Sequence, residues 1–486
     1  MNTTSLHRTL AAAVAALAAV GCTAVGPDFK RPDPLAVQRY TAEPLKLEAD
    51  AADGDAQAQH LVPGTPLEGE WWRLLRSDAV DSVVQRALAG NRTLAAAAAS
   101  VAQAQELANA QAGTLAPQVG LTAGAGRQKL GAEAFGPSTL PPFTYFAVGP
   151  TVSYTLDYTG GGSRSVEQQR ALAEYQQHQL EAARLAVTGT TVTQALRVAS
   201  LRAQIATAEE LLDRDRENLR LVQVAFDAGS VARLDIISAQ TQLAADQTLL
   251  PPLRQQLSVA RHALAVIMGA APAAAALPEL DIAQLELPKQ LPVSVPSELA
   301  RRRPDILAAE AQLHASTAAV GVAEGNLYPH ISITASAGQQ ALTLGRLFDR
   351  SSGAFALAAG LVAPLFDGGT LHAEQRAAVD AMHANAANYE QTVLEAFGQV
   401  ADSLEALEHG AEDLQAHSRA QDAARDDVEL TRRSYREGNV GVLQVLDAER
   451  RYQQARLGFV RAQAQRYIDT VQLFLALGGA GPSTPG

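Results

Sequence analysis

Two hydrophobic periods run along the chain. Val393, Phe397, Val400, Leu404, Leu407, Ala411 and Leu414 are spaced 4, 3, 4, 3, 4 and 3 residues apart, and Val198, Leu201, Ile205, Ala208 and Leu212 are spaced 3, 4, 3 and 4. A 3.5-residue repeat is the seam along which helices pack lengthwise. Both seams lie in proline-free stretches, 163–228 and 370–437, and the first has Gly189 as its one interior glycine. A helix over 163–228 would extend roughly 100 Å. A globular domain does not hold helices that long, so they must pair along their length. The second period is two. Val119, Leu121, Ala123 and Ala125 alternate with Gly120, Thr122, Gly124 and Gly126. Val148, Val152, Tyr154 and Leu156 alternate with Gly149, Thr151, Ser153 and Thr155, and Ile331, Ile333, Ala335 and Ala337 with Ser332, Thr334, Ser336 and Gly338. A fourth stretch, 354–365, is apolar with weaker alternation.

Period-two runs of about ten residues suit membrane-crossing strands, apolar toward lipid and polar toward a lumen. A pair of soluble hairpins packed on helices is the other arrangement they allow. Read as membrane strands, four cannot close a barrel, since such barrels start at about eight, and an open edge is not tolerated in lipid. The chain must then assemble. Two copies would supply eight strands and three would supply twelve, and periodicity does not choose between them.

The landmarks occur twice, in the same order. Leu115-Ala116-Pro117-Gln118-Val119 matches Leu327-Tyr328-Pro329-His330-Ile331. Gly161-Gly162 before Glu167-Gln168 matches Gly368-Gly369 before Glu374-Gln375. Phe226-Asp227-Ala228-Gly229-Ser230-Val231 matches Tyr435-Arg436-Glu437-Gly438-Asn439-Val440. The reading is a first repeat over 71–270, with a helix, a β-hairpin at 117–157, a long helix at 163–228 and a return helix. A second repeat over 301–478 has a hairpin at 330–365, a long helix at 370–437 and its own return helix. Gly229 and Gly438 suit left-handed C-caps at the hairpin tips, and Pro251-Pro252 is expected to kink the first return helix. Five prolines between Ala271 and Pro296 mark 271–300 as a connector. A tail at 479–486 closes the chain.

The N-terminus carries an address. His7 and Arg8 precede an apolar run from Leu10 to Val20, the length of a signal-peptide core and too short to span a bilayer. It ends in Ala19-Val20-Gly21-Cys22, which resembles a bacterial lipobox, although Ala19 stands where leucine is usual. This predicts a signal peptide at 1–21, a covalent lipid on Cys22, and an extended segment over 22–70. Thr23, rather than aspartate, follows Cys22, which is compatible with the outer membrane.

Composition narrows the chemistry. The 39 basic and 51 acidic residues give a formal charge of -12, against nucleic acid as the main partner. One cysteine excludes a disulfide scaffold and a Cys-X-X-Cys centre. The ten histidines form no His-X-X-X-His pair, and His314, His372 and His383 read as surface positions, so no metal site is expected. No Gly-X-Ser-X-Gly elbow frames a serine. Gly160-Gly161-Gly162-Ser163 opens a helix but lacks the Lys-Ser/Thr of a phosphate loop, so it reads as a strand-to-helix turn. No enzymatic activity and no cofactor are expected.

Several blocks then resemble one family. They are Gly26-Pro27-Asp28-Phe29-Lys30-Arg31-Pro32, Trp71-Trp72, Pro296-Ser297-Glu298-Leu299-Ala300-Arg301-Arg302-Arg303-Pro304-Asp305-Ile306 with Ala308-Ala309-Glu310, Leu365-Phe366-Asp367-Gly368-Gly369, and the Gly438 tip. The chain resembles the TolC-type outer-membrane factors, in the lipidated branch that serves resistance pumps. The resemblance implies an α+β membrane protein that acts as a homotrimer. Four strands per chain would form a twelve-stranded transmembrane β-barrel, continued by a long coiled-coil α-barrel into the periplasm. It implies an exit duct in the outer membrane, working with a periplasmic adaptor and an inner-membrane pump of the proton-driven RND type. Iris-like opening of the helix tips would gate it.

The resemblance also implies site residues. Asp447 stands in the place of an aspartate ring and Leu443 in that of an apolar ring at the periplasmic gate. Three carboxylates around a narrow axis would favour cations. Many relatives carry a second aspartate where this chain has Gln444. Tyr435 and Asp235 resemble a latch pair, and Val440 stands where some relatives have arginine. Gly229, Ser230 and Val231, with Gly438, Asn439 and Val440, are the expected adaptor contacts. The alternatives are a lipid-anchored structural coiled coil without a pore, or an exit duct for metal efflux or type I protein secretion. With three methionines in all, nothing marks a copper or silver path.

Overall fold

The computed structural model describes residues 24–33, 37, 39–42, 59–65, 67, 69–129 and 141–479. The predicted signal peptide, Cys22 and residues 480–486 lie outside the described residues. The strands are β1 (His60–Pro63), β2 (Gln118–Gln128), β3 (Phe143–Leu156), β4 (Gln290–Val293), β5 (His330–Ala341) and β6 (Gly353–Val362). The helices are α1 (Asp78–Gly90), α2 (Arg92–Gly113), α3 (Gly161–Asp227), α4 (Arg233–Gln247), α5 (Leu250–Ile267), α6 (Pro296–Arg302), α7 (Pro304–Gly325), α8 (Thr370–Arg436) and α9 (Val442–Ala476). α3 and α8 each have 67 residues. Among the described residues, no helix is long and apolar enough to cross a membrane.

Two compact units form, and each draws on both sequence repeats. The first joins Ser100–Gln176 and Ala308–Tyr389 to the N-terminal residues up to Pro32. At its centre is an antiparallel sheet in the order β2-β3-β5-β6. Directly paired residues of antiparallel strands point to one face. The register pairs Val119 with Val152, Ala123 with Val148, Val152 with Ala335, Tyr154 with Ile333, Ile331 with Leu361 and Ala335 with Leu357. One face is therefore apolar on all four strands. On the outer strands its residues are uncovered in the single chain, with Val119 72% exposed, Leu121 77%, Phe355 87% and Leu357 75%, while Val148, Val152 and Ala335 of the inner strands are half-buried. The opposite face carries Thr122, Thr151, Ser153, Ser332 and Thr334 with several glycines. On β6 that face is Ala354, Ala356, Ala358 and Gly360, which explains why alternation is weak there. The β3–β5 ladder is interrupted at Gly149-Pro150, between the Val148–Gln339 and Thr151–Ser336 pairs. Pro150 has no N–H to give, and a Cβ on Gly149 would come within 2.3 Å of the Ala337 carbonyl oxygen.

The N-terminal block of the family resemblance is a strap in this unit. Val25 donates its N–H to the Thr159 carbonyl at 2.9 Å. Buried Arg164 donates to Asp28 at 2.5 Å and to the Val25 carbonyl at 3.1 Å. Arg31 pairs with Glu310 at 2.7 Å. Phe29 stacks on His314 at 4.4 Å, and His314 Nε2 lies 2.9 Å from Glu167. This corrects the surface reading of His314: an aromatic ring covers it and a carboxylate holds it.

The second unit comprises Asp33–Ala99, Gln177–Leu307 and Glu390–Gly486. Its core is the heptad seams: Val198, Leu201, Ala208 and Leu212 of α3 and Val393, Phe397, Val400, Leu404, Leu407 and Leu414 of α8 are buried. The first return helix is broken rather than kinked. It stops at Gln247, and α5 starts at Leu250 with its prolines in the first turn, where a missing N–H costs nothing. The helix opening the first repeat is likewise two, since Asn91 Oδ1 accepts from Thr93 and Leu94 and starts α2. Within the connector, β4 pairs in parallel with β1.

Arg303, from the arginine block, holds three chain segments together. It donates to Asp305, to the carbonyls of Ala396 and Ala476, and to Gln399 Oε1 at 2.5 Å. Removing it takes the donor from the buried Ala476 carbonyl at the end of α9 and cuts the link to α8. Arg303→Ala is expected to lower stability by about 2–4 kcal/mol. Exposed Arg301→Ala should change it by less than about 0.5 kcal/mol. Urea midpoints of the detergent-solubilised variants compare the two directly.

Candidate functional site

The candidate site is built where the long helices turn. α3 ends as a Schellman motif: Ser230 N–H donates to the Ala225 carbonyl at 2.9 Å and Gly229 N–H to Phe226 at 2.8 Å. α8 ends the same way, with Asn439 N–H on Ser434 at 2.9 Å and Gly438 N–H on Tyr435 at 3.0 Å. The motif needs a left-handed residue after the cap. Gly229 at φ +75° and Gly438 at φ +78° supply it. Neither would meet an obstacle if given a Cβ, so backbone strain alone fixes glycine there.

The two turns share one small core. Val222, Ile236 and Ala239 are buried together, with Leu219, Val231, Val442 and Leu446 packed around them. Val231 of the first tip is thus brought to the start of α9, which leads out of the second. Gly229, Ser230, Gly438 and Asn439 are exposed, and Val440 is half-buried. Asn439 Nδ2 donates to Glu437 at 3.3 Å.

The residues expected at the gate, Leu443 and Asp447, sit on the first turns of α9. Leu443 is exposed, leaving an apolar side chain available to something outside the single chain. Asp447 is not a bare carboxylate. Arg450 donates to it at 2.8 Å and Arg451 at 2.5 Å, and Arg451 also reaches Asp427 of α8 at 2.8 Å. The Arg450 hydrogen bond leads in holding the Asp447 carboxyl below the usual carboxylate range. Its ion pairs are therefore present above that range and are lost as pH falls through the lowered pKa. The latch pair is not joined by a hydrogen bond within the chain. Asp235 instead accepts from the Ala232 N–H at 2.8 Å, as the first-turn acid of α4, and Tyr435 is exposed.

The glycine turns at the strand-to-helix junctions hold a carboxylate rather than a free anion. Asp157 accepts from the N–H groups of Gly162 and Ser163 at 2.9 and 2.7 Å. Asp367 does the same for Gly369 and Leu371 at 2.9 and 2.7 Å. Each repeat thus fills its own helix N-terminus. Among the described residues, no group of three or more His, Cys, Asp or Glu is arranged to hold a metal ion.

Sequence reasoning missed Arg450 and Arg451, although their i+3 and i+4 spacing from Asp447 carries the signal. It also missed Asp427 and a carboxylate pair of α3 and α4, Asp215 and Asp246, which no local spacing announces. Gly438→Val is expected to cost about 1–2 kcal/mol at the tip. Hydrogen exchange should show lost protection over residues 431–446 with the β5–β6 hairpin unchanged.

Comparison with known proteins places this geometry. The model of the outer membrane efflux protein family matches residues 83–270 and 295–479. The chain is 31% identical over 424 residues to the pyoverdine export outer membrane protein OpmQ of Pseudomonas aeruginosa, covering 85% of this chain and 88% of that protein. Among solved structures, the outer-membrane channel OprN aligns with a TM-score of 0.81 at 28% identity, covering 94% of this chain and 99% of that one. The open state of the MtrE outer membrane channel of Neisseria gonorrhoeae aligns with a TM-score of 0.79 at 25% identity, covering 94% and 98%.

Proposed function

The chain belongs to the outer membrane efflux protein family and is an outer-membrane exit duct of an efflux pump; from this premise we propose that it works as a gated homotrimer. The observation that carries the proposal is the sheet. All four strands turn apolar residues to one face, and among the described residues β2 and β6 end the sheet with no partner. An apolar face suits lipid, and unpaired edges are not tolerated there. Joining β6 of one copy to β2 of the next removes every edge. Three copies give twelve strands, within the range of membrane barrels. The mature N-terminus carries its lipid on Cys22, and the strap from Val25 to Arg31 ties that end to α3 and α7.

The tips form the gate. Leu443 rings narrow the periplasmic end with apolar side chains. Asp447, one turn further on, adds carboxylates braced by Arg450 and Arg451. The Asp427–Arg451–Asp447 bridge ties α8 to α9 in the closed state. The related MtrE channel has been solved in an open state, which supports an end that opens. A periplasmic adaptor docks at Gly229-Ser230-Val231 and Gly438-Asn439-Val440. The pump beneath is of the proton-driven RND type, and it selects the cargo.

Planar-bilayer conductance tests the gate. The parent protein is expected to conduct weakly, and the Leu443→Ala, Asp447→Ala variant at least several-fold more. Equal conductance from both, in preparations verified as inserted, would count against this gate.

A further inference from the structure

We propose that Asp215, Asp246 and Glu449 form a proton-operated clasp: a proton shared between Asp215 and Asp246 holds α3, α4 and α9 tightly together, and its loss loosens them. Asp215 of α3 is 9% exposed, and its Oδ2 is buried with no donor. It faces Asp246 of α4 within hydrogen-bond reach, and Glu449 of α9 adds a further negative charge. Two carboxylates can bond only if one carries a proton.

The neighbouring carboxylates already have their own partners. Glu449 accepts from Arg432 of α8 at 2.6 Å and from Asn218 of α3 at 2.8 Å. Asp246 accepts from Gln242 at 2.6 Å. The cations nearby are engaged elsewhere or bond no part of Asp215. Arg214, Arg425 and Arg432 share a cleft of α3, α8 and α9 with Glu210, Glu429, Glu449 and Tyr452. Of these, Arg432 holds Glu449, Arg425 pairs with Asp422 and Asp426, and Glu210 is held by Arg456. A second acceptor is stranded in the same stretch. Gln453 Oε1 of α9 is buried without a donor. The Asn218–Glu449 and Glu210–Arg456 bonds bracket both Asp215 and Gln453 along the paired helices. This layer is short of protons rather than of acceptors.

Burial first, and then Asp246 and Glu449, push the Asp215 carboxyl up to about 7. A raised carboxyl pKa stabilises the folded arrangement at low pH. That contribution is full below the ordinary carboxylate range, falls as pH rises, and is gone above about 7. The clasp is therefore tight in mild acid and loose in mild base. It lies on the α3–α4 coil that carries the first tip, and the claim concerns local opening of that coil, whether or not the tips gate conduction.

Hydrogen-exchange mass spectrometry on the full-length membrane-inserted protein tests it, with labelling times scaled to cancel the intrinsic pH dependence of exchange. Opening of segments 211–222 and 236–249 is expected to rise roughly tenfold from pH 6 to pH 8, with the β5–β6 hairpin unaffected. Asp215→Asn should keep both segments protected at pH 8 and abolish the dependence. Asp246→Asn should also flatten it, which keeps the test decisive if the first variant folds poorly. Protection independent of pH in the parent, or the parent's slope retained in Asp215→Asn, would overturn the clasp. So would restoration of protection at pH 8 by calcium or magnesium alone, which would make the cluster a cation site.

Discussion

The structure depends on one constraint: a backbone N–H or C=O in lipid must find a partner inside the protein. The register of four strands puts Val119, Val152, Ile333, Leu357 and their neighbours on a single face. That face is too apolar and too exposed to be left in water. Among the described residues, the same sheet ends in two strands with no outer partner. In the homotrimer we propose, copies of the chain meet both conditions at once, and assembly follows from the sheet.

The helical part answers a different demand. Helices of 67 residues are stabilised along their length by seams, and the seams of α3 and α8 are buried. At the tips the seam runs out. Left-handed glycines, a small core around Val222 and Ile236, and ion pairs such as Asp447 with Arg450 and Arg451 take over there. In the gate we propose, the tips are the natural place for movement, held by this small core together with the ion pairs.

The parts of this legible in the sequence were those set by local spacing. Heptads announced α3 and α8, alternation announced β2, β3 and β5, and paired landmarks announced the duplication. β6 was weaker because its polar-side positions are alanine and glycine, which blur a period of two. The break at Thr248-Leu249 was placed by the prolines, but its form was not, since Pro starts a helix as readily as it bends one. Contacts between residues far apart in the chain, or on different helices, left no local signal. Arg303 reaching Ala476, β1 pairing with β4, Phe29 covering His314 and Asp215 meeting Asp246 all depend on how the chain returns on itself. At the candidate gate, Leu443 and Asp447 were legible only through family resemblance. The arginines that brace Asp447 were written in plain helical spacing.

Native mass spectrometry of the protein released from membranes tests the central claim most directly. Closure of the sheet by neighbouring copies predicts a single dominant species of three chains, stable until the barrel itself is disrupted. A folded species of one or two chains, retaining its β-structure in the membrane, would contradict it.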